Sequence, residues 1–430
     1  KQESMLSPGA KGWINKYFDL VENGEISLEI DRPEGLRKLH FMHLTLGHSG
    51  IVFGYPMDLI FAIELDDSKW TSEEKLKLLL FESHLFVYLQ IHNDVVFDRA
   101  SFIQSLVGFY KFHNSSSIKR IFTLIKKESL DTMLESVLVK RIDIKTNLLD
   151  NKWWVNSLSN AFVYLDVILF DDFVHKSKEE ALKNYDIFAE NALIAVTLSA
   201  YSDGLIEDKE KDLFNVFLAS AHLDDEDREK AKERFRNGAK MDDFSYFVKG
   251  HWLLKRFLLD IAVLTIFSTQ ETLEEETEFL EDLCENLEIE HFELEESLRI
   301  VENFMLKSKD NVTFLSEVSK YDKVYASLTK RWTKVILRNR DKLSNEMRES
   351  KELVRLIKKS RSEELSKEEK AAVKLQFKDL AKSIPALAIF MLPGGVILLP
   401  LVLKLIPDLI PSAFKENEIG DQSNEKPKEL

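Results

Sequence analysis

Three carboxylates, Asp203, Glu207 and Glu210, crowd the stretch "AYSDGLIEDKEKDLF". Hard divalent cations take clustered oxygen ligands, which makes this set the candidate metal site of the sequence. The same acids suit a second role. Asp203-Gly204 makes a turn, and acids opening the following helix interact favourably with its dipole. The D-x-D-x-D-G spacing of an EF-hand is absent. His40, His43 and His48 in "LHFMHLTLGHSG" form a second set, because His40 and His43 share a helix face. Cys is absent nearby and there is no H-E-x-x-H pattern, so these read as core or surface histidines. "GHSG" is not a nucleophile elbow, since Ile51 stands where a Gly is required. P-loop, G-x-G-x-x-G and paired-Cys motifs are missing. No acid–base set converges, so the expectation is a non-enzyme whose one ligand, if any, is a divalent cation.

The elements that position these residues read as helices almost throughout. Apolar residues recur at three- and four-residue spacings, and start signals are frequent. Thr71 with Glu74 opens one helix, and Ser177-Lys178-Glu179-Glu180 opens another. Ser366 with Glu369 forms a capping box. The helix that follows places Val373, Phe377, Leu380 and Ile384 on one stripe. "LVKRIDI" is left between helix and loop, and Asp166 reads as a lone acid at the edge of an apolar helix. The expected architecture is all-α, a multi-helix soluble body with a C-terminal Pro/Gly-broken membrane segment. Its expected parts are an aromatic-rich domain at 1–175, a second helical domain at 176–310, a basic helical stretch at 311–382, the membrane segment at 383–414, and a polar, disordered tail at 415–430. Within the second domain, the stretch from "LIAVTLSAYSDG" to "AKERF" has the same build as that from "LLDIAVLTIFS" to "ELEESL". Each is an apolar helix, a polar turn, then an acidic helix start, which a duplicated unit would give.

Charge is unevenly spread. The net charge is −15, which argues against bulk nucleic-acid binding and against direct DNA binding. Residues 271–300 hold 13 acids and one base, whereas 330–382 hold 17 bases and 9 acids. The single cysteine, Cys284, forbids an internal disulfide and fits a reducing compartment. After the basic block, 21 residues from Ser383 to Leu403 carry no charge. As one helix they would span about 31 Å, the thickness of a bilayer core. Five of nine prolines fall here: Pro385, Pro393, Pro400, Pro407 and Pro411, with Gly394-Gly395 between them and Lys404 as the first charge after the run. In lipid, such breaks free carbonyls that neighbouring chains must satisfy, so a homo-oligomer is expected. A buried hairpin of a water-facing domain is the competing reading. The basic approach favours the membrane, with the basic block and the body on its cytoplasmic side.

Two resemblances sharpen this. The Asp-Gly turn with its acidic helix opening resembles the TerB-like fold over roughly 180–300. Residues 350–414 resemble the LETM-type family (leucine zipper, EF-hand-containing transmembrane proteins). The matching pieces are Leu365-Ser366, Asp379-Leu380, Ile384-Pro385, Leu399-Pro400, Leu403-Lys404-Leu405, Pro407 and Pro411-Ser412-Ala413-Phe414. This resemblance implies an inner-membrane protein linked to proton-coupled exchange of potassium or calcium, and a ribosome-binding role. It also implies a carboxylate between the segment's prolines, where Val396 stands here, and a following ribosome-binding domain that is expected to be missing. The combination resembles bacterial LETM-related biofilm-associated proteins. The expected function is therefore cation homeostasis or membrane organisation. The alternative is a scaffold or adaptor, ribosome binding included, without transport.

Overall fold

The computed structural model describes residues 6–93, 95–113, 116–124, 128–143, 160–177, 179–202, 204, 206, 208–268, 274–309, 321–384, 386–387, 390, 392, 399–411 and 414. Every element among them is helical, as the apolar spacing predicts. The chain divides into two compact units, Lys1–Glu29 with Thr45–Tyr321, and Ile30–Leu44 with Asp322–Leu430.

The first unit opens with α1 (Trp13–Glu22) and the last turns of α2 (Lys38–Ser49). Then come α3 (Ser72–Ile91), α4 (Arg99–Tyr110), α5 (Ser116–Leu124), α6 (Leu130–Ile142) and α7 (Tyr164–His175). Thr71 and Glu74 cap α3 reciprocally, as expected. α3 is buried all round from Leu76 to Tyr88, so it forms the centre of this half and packs on α7. Of "LVKRIDI", Leu138 to Ile142 form the end of α6 and Asp143 is its extended C-cap; Ile144 lies outside the described residues. Gly54 sits at φ +63°, and a Cβ there would collide with the backbone of Asn160.

Six further helices follow among the described residues of the unit: α8 (Tyr185–Ala200), α9 (Asp208–Ser220), α10 (Asp225–Asn237), α11 (Trp252–Ser268), α12 (Glu274–Leu287) and α13 (His291–Ser308). The repeated sequence pattern becomes a repeated order of helices. α8 and α11 are long, buried and packed on each other, and each is followed by two amphipathic helices that pack back on it. The Ser177 start signal fails: Ser177 has φ +50°, and α8 begins only after a short 3-10 turn at Ala181–Asn184.

Asp166 is not at an edge. It is fully buried on α7 and receives Arg141 of α6 through Nε at 2.6 Å and Nη2 at 2.7 Å. The Tyr110 hydroxyl donates to it at 3.0 Å. Asn160 donates to the Arg141 carbonyl at 2.8 Å. A buried guanidinium needs such a fork, because desolvation of each ion otherwise costs several kcal/mol. A second buried carboxylate, Glu82 of α3, accepts the backbone N–H groups of Ile60, Phe61 and Ala62 and the Tyr17 hydroxyl. A third site joins α11 to α13, where Arg256 reaches Glu296 at 3.0 Å and the Glu293 carbonyl at 2.9 Å.

The buried histidines give this unit a defined acid limit. Burial pushes His84 down to about 4; for His113, burial aided by the Arg141 charge pushes it down to about 3. Unfolded, both titrate near 6.5. The unfolded chain therefore takes up protons first, and stability present above about pH 6.5 is lost as pH falls through 4. Asp166, whose carboxyl is held low by Arg141 against its desolvation, adds loss of the same sign. Glu82, raised by burial, opposes it. The urea midpoint is expected to fall steadily from pH 7 to pH 4, and a flat profile would contradict this burial.

The second unit holds the first turns of α2 and five later helices: α14 (Tyr321–Arg338), α15 (Arg340–Glu349), α16 (Lys351–Ser360), α17 (Lys367–Ser383) and α18 (Leu399–Leu409). α14 buries Val324, Leu328, Trp332 and Ile336, one residue per turn. α16 buries Leu353, Val354, Leu356 and Ile357. α17 carries the expected capping box of Ser366 and Glu369, and its expected stripe of Val373, Phe377, Leu380 and Ile384 is buried.

The membrane segment is corrected here. No helix among the described residues is long and apolar enough to cross a membrane. α18 has 11 residues, roughly 16 Å of rise against a bilayer core of about 30 Å. Its apolar side chains have protein partners instead. Leu399, Leu401, Val402, Leu403 and Ile406 are buried, and α18 packs on α16. Phe390 stacks near Trp332 at 5.0 Å and Phe377 at 5.2 Å. Pro400 lies in the first turn of α18, where no N–H partner is lost. Lys404 and Pro411 are exposed, and Pro407 sits in the last turns of α18. Pro385, Pro393, Gly394 and Gly395 lie outside the described residues. The inner-membrane placement rested on this anchor and falls with it. So does self-association, which was argued from a broken span in lipid.

Candidate functional site: a basic helical unit

The two units differ in charge. The second carries 25 Lys and Arg against 18 Asp and Glu, a net +7, while the first carries 34 against 56, a net −22. The acidity of the whole chain thus conceals a basic unit. Its cations serve two purposes. Some hold helices together: Lys359 of α16 reaches Glu369 of α17 at 2.9 Å, and Arg361 reaches Asp408 of α18 at 3.2 Å. Lys359 holds the Glu369 carboxyl below its ordinary range through that hydrogen bond. Others stand exposed with no acidic partner within 4 Å among the described residues, namely Lys330, Lys334 and Arg338 on α14, Lys374 on α17 and Lys404 on α18. Exposed cations of this kind attract anions electrostatically. The sequence located this basic block but set it beside lipid headgroups; folding turns its apolar faces inward against Phe390 and α18 and leaves the cations outward.

Residues 365–429 match the family model described as LETM1-like, RBD. The segment is a LETM1-like RBD domain. It comprises α17, the turn around Phe390, α18 and the tail beyond Phe414, which lies outside the described residues. The expectation that a ribosome-binding domain is missing from the chain is thereby overturned. Searches of curated proteins and of solved structures find no match to the chain. Cation exchange and membrane organisation, which the resemblance implied, lack the crossing helix they need among the described residues.

The carboxylates of the middle region are only partly placed. Asp203 and Glu207 lie outside the described residues, and Glu210 is buried in the first turns of α9. No group of three metal-ligating side chains gathers among the described residues. Beside this turn is a cavity of about 510 Å³ lined by Tyr201, Phe214, Phe235, Lys211, Lys232 and Arg236. Lys211 is paired to Asp208 and Lys232 to Glu229, so its rim is largely neutralised. His48 meets the Asn303 amide at 3.3 Å, and His40 and His43 are buried, which fits core histidines. Sequence reasoning missed the Arg141–Asp166 fork, because its two halves lie 25 residues apart with no motif between them.

Proposed function

We propose that the chain is a non-enzymatic adaptor whose basic C-terminal unit binds the ribosome. The observation that carries this reading is the LETM1-like RBD match on a folded helical unit of net positive charge. Ribosome surfaces are polyanionic, and exposed unpaired cations on packed helices supply complementary charge. The large acidic unit is then the part presented to other partners. A TerB-like region at 176–310, with Asp203, Glu207 and Glu210 as cation ligands, stays a proposal carried by the sequence resemblance alone. Neither the geometry nor the comparisons lend support to a biofilm association.

The test is co-sedimentation of the full chain with purified ribosomes through a sucrose cushion. The chain is expected in the pellet at low salt and released as salt rises. A chain that stays in the supernatant at low salt would refute the proposal.

A further inference from the structure

Helix α14 lies outside the matched family segment, yet it presents a row of exposed cations. At about 100° per residue, Lys323, Lys330, Lys334 and Arg338 fall within a sector of about 80°. The buried residues Val324, Leu328, Trp332 and Ile336 are centred about 140° away, on the opposite side. The last three cations follow one another at a rise of about 6 Å. All four are exposed, and among the described residues none has an ion pair or hydrogen bond to an acid. Asp322 stands outside the sector by helical angle. Arg340 and Lys342, at the start of α15, continue the run as exposed and unpaired cations. Leu337, 47% exposed, lies beside the stripe.

Unpaired cations elsewhere in the unit, Lys374 and Lys404, stand singly on their helices, whereas those of α14 form a row. Arg355, Lys359 and Lys370 each have a carboxylate partner. A helix that gains from i, i+4 pairs with acids has none here on its cationic face. Like charges at i, i+4 repel, so the stripe costs the isolated helix a few tenths of a kcal/mol per pair. A partner that brings regularly spaced negative charge relieves that repulsion. A phosphodiester backbone does so, and releases its own condensed counterions as it binds.

We infer that the α14 stripe, Lys323, Lys330, Lys334 and Arg338, is a contact for the phosphate backbone of ribosomal RNA. The inference rests on the ribosome-binding reading and specifies its partner as RNA rather than ribosomal protein. Because the contacts are to phosphates, affinity depends on salt and little on base sequence.

The experiment measures binding of the full chain, by fluorescence anisotropy over a salt series, to protein-free ribosomal RNA and separately to intact ribosomes. Wild type and two triple variants are compared, Lys330→Gln/Lys334→Gln/Arg338→Gln and Lys330→Arg/Lys334→Arg/Arg338→Lys. Wild type is expected to bind both targets. The Gln variant is expected to weaken RNA binding by roughly tenfold or more and to lower the slope of log K against log salt by about 2–3. The charge-retaining variant is expected to bind as wild type, which separates charge from folding. Binding to ribosomes without binding to free RNA would overturn the RNA contact and leave the adaptor reading standing. So would an unchanged slope in the Gln variant. Binding to RNA without binding to ribosomes would sink the ribosome reading and keep the stripe.

Discussion

Arg141→Met is expected to cost the acidic unit about 3–5 kcal/mol, because it leaves a buried carboxylate without its cation. Asp166 is fully buried, and two of its hydrogen bonds come from that guanidinium. Tyr110 alone would remain to solvate it, at 3.0 Å. The Asn160 bond to the Arg141 carbonyl is a main-chain contact and survives the change. The double variant Arg141→Met/Asp166→Leu removes both charges, and most of the loss is expected to be recovered. The recovery stops short of complete, since the Tyr110 hydroxyl then loses its 3.0 Å acceptor and keeps the longer contact to His84 Nε2 at 3.4 Å. Urea unfolding of wild type, both singles and the double gives the coupling between the two sites. A single variant within about 1 kcal/mol of wild type would show that Asp166 is not charged and isolated in the way its burial requires.

Trp332→Ala is the second large effect expected, about 3–5 kcal/mol from the C-terminal unit. Trp332 is 1% exposed on α14, and Phe390 of the apolar segment lies 5.0 Å from it. Phe377 of α17 completes the cluster. If Phe390 and α18 belong to the core of this unit, emptying the tryptophan's place loosens them as well. Amide exchange in 399–411 is expected to speed up in the variant. A segment held by lipid would be indifferent to a side chain more than fifty positions earlier, so unchanged exchange there would restore the membrane reading. Val402→Asp, at a fully buried site of α18, should have an equal or larger effect for the complementary reason that it buries a charge.

Much of the local structure was legible because its causes are local. The Ser366 and Glu369 capping box and the stripe from Val373 to Ile384 lie within 19 consecutive residues, and both form as expected. The repeated helix order of the middle region followed from the same periodicity. What failed was long-range. A charge-free run is written alike for a bilayer and for a protein core; only the apolar faces of α14, α16 and α17 say that this one has protein partners. Its prolines did not decide between the two, since α18 runs from Leu399 to Leu409 with Pro400 in its first turn and Pro407 inside it. Asp166 looked solitary because its partner arrives from α6. At the candidate site, the basic block was visible in composition, but its direction was not. Whether Lys330 and Lys334 face outward depends on Leu328 and Trp332 finding a core.

The central claim is that the basic unit, and not the larger acidic one, meets the ribosome. Lysine footprinting of the full chain with and without ribosomes tests it most directly. Lys330, Lys334 and Lys374 are expected to become protected, while Lys11 and Lys211 of the acidic unit, both exposed, keep their labelling. Protection of Lys11 or Lys211 with full labelling retained at Lys330, Lys334 and Lys374 would contradict the account.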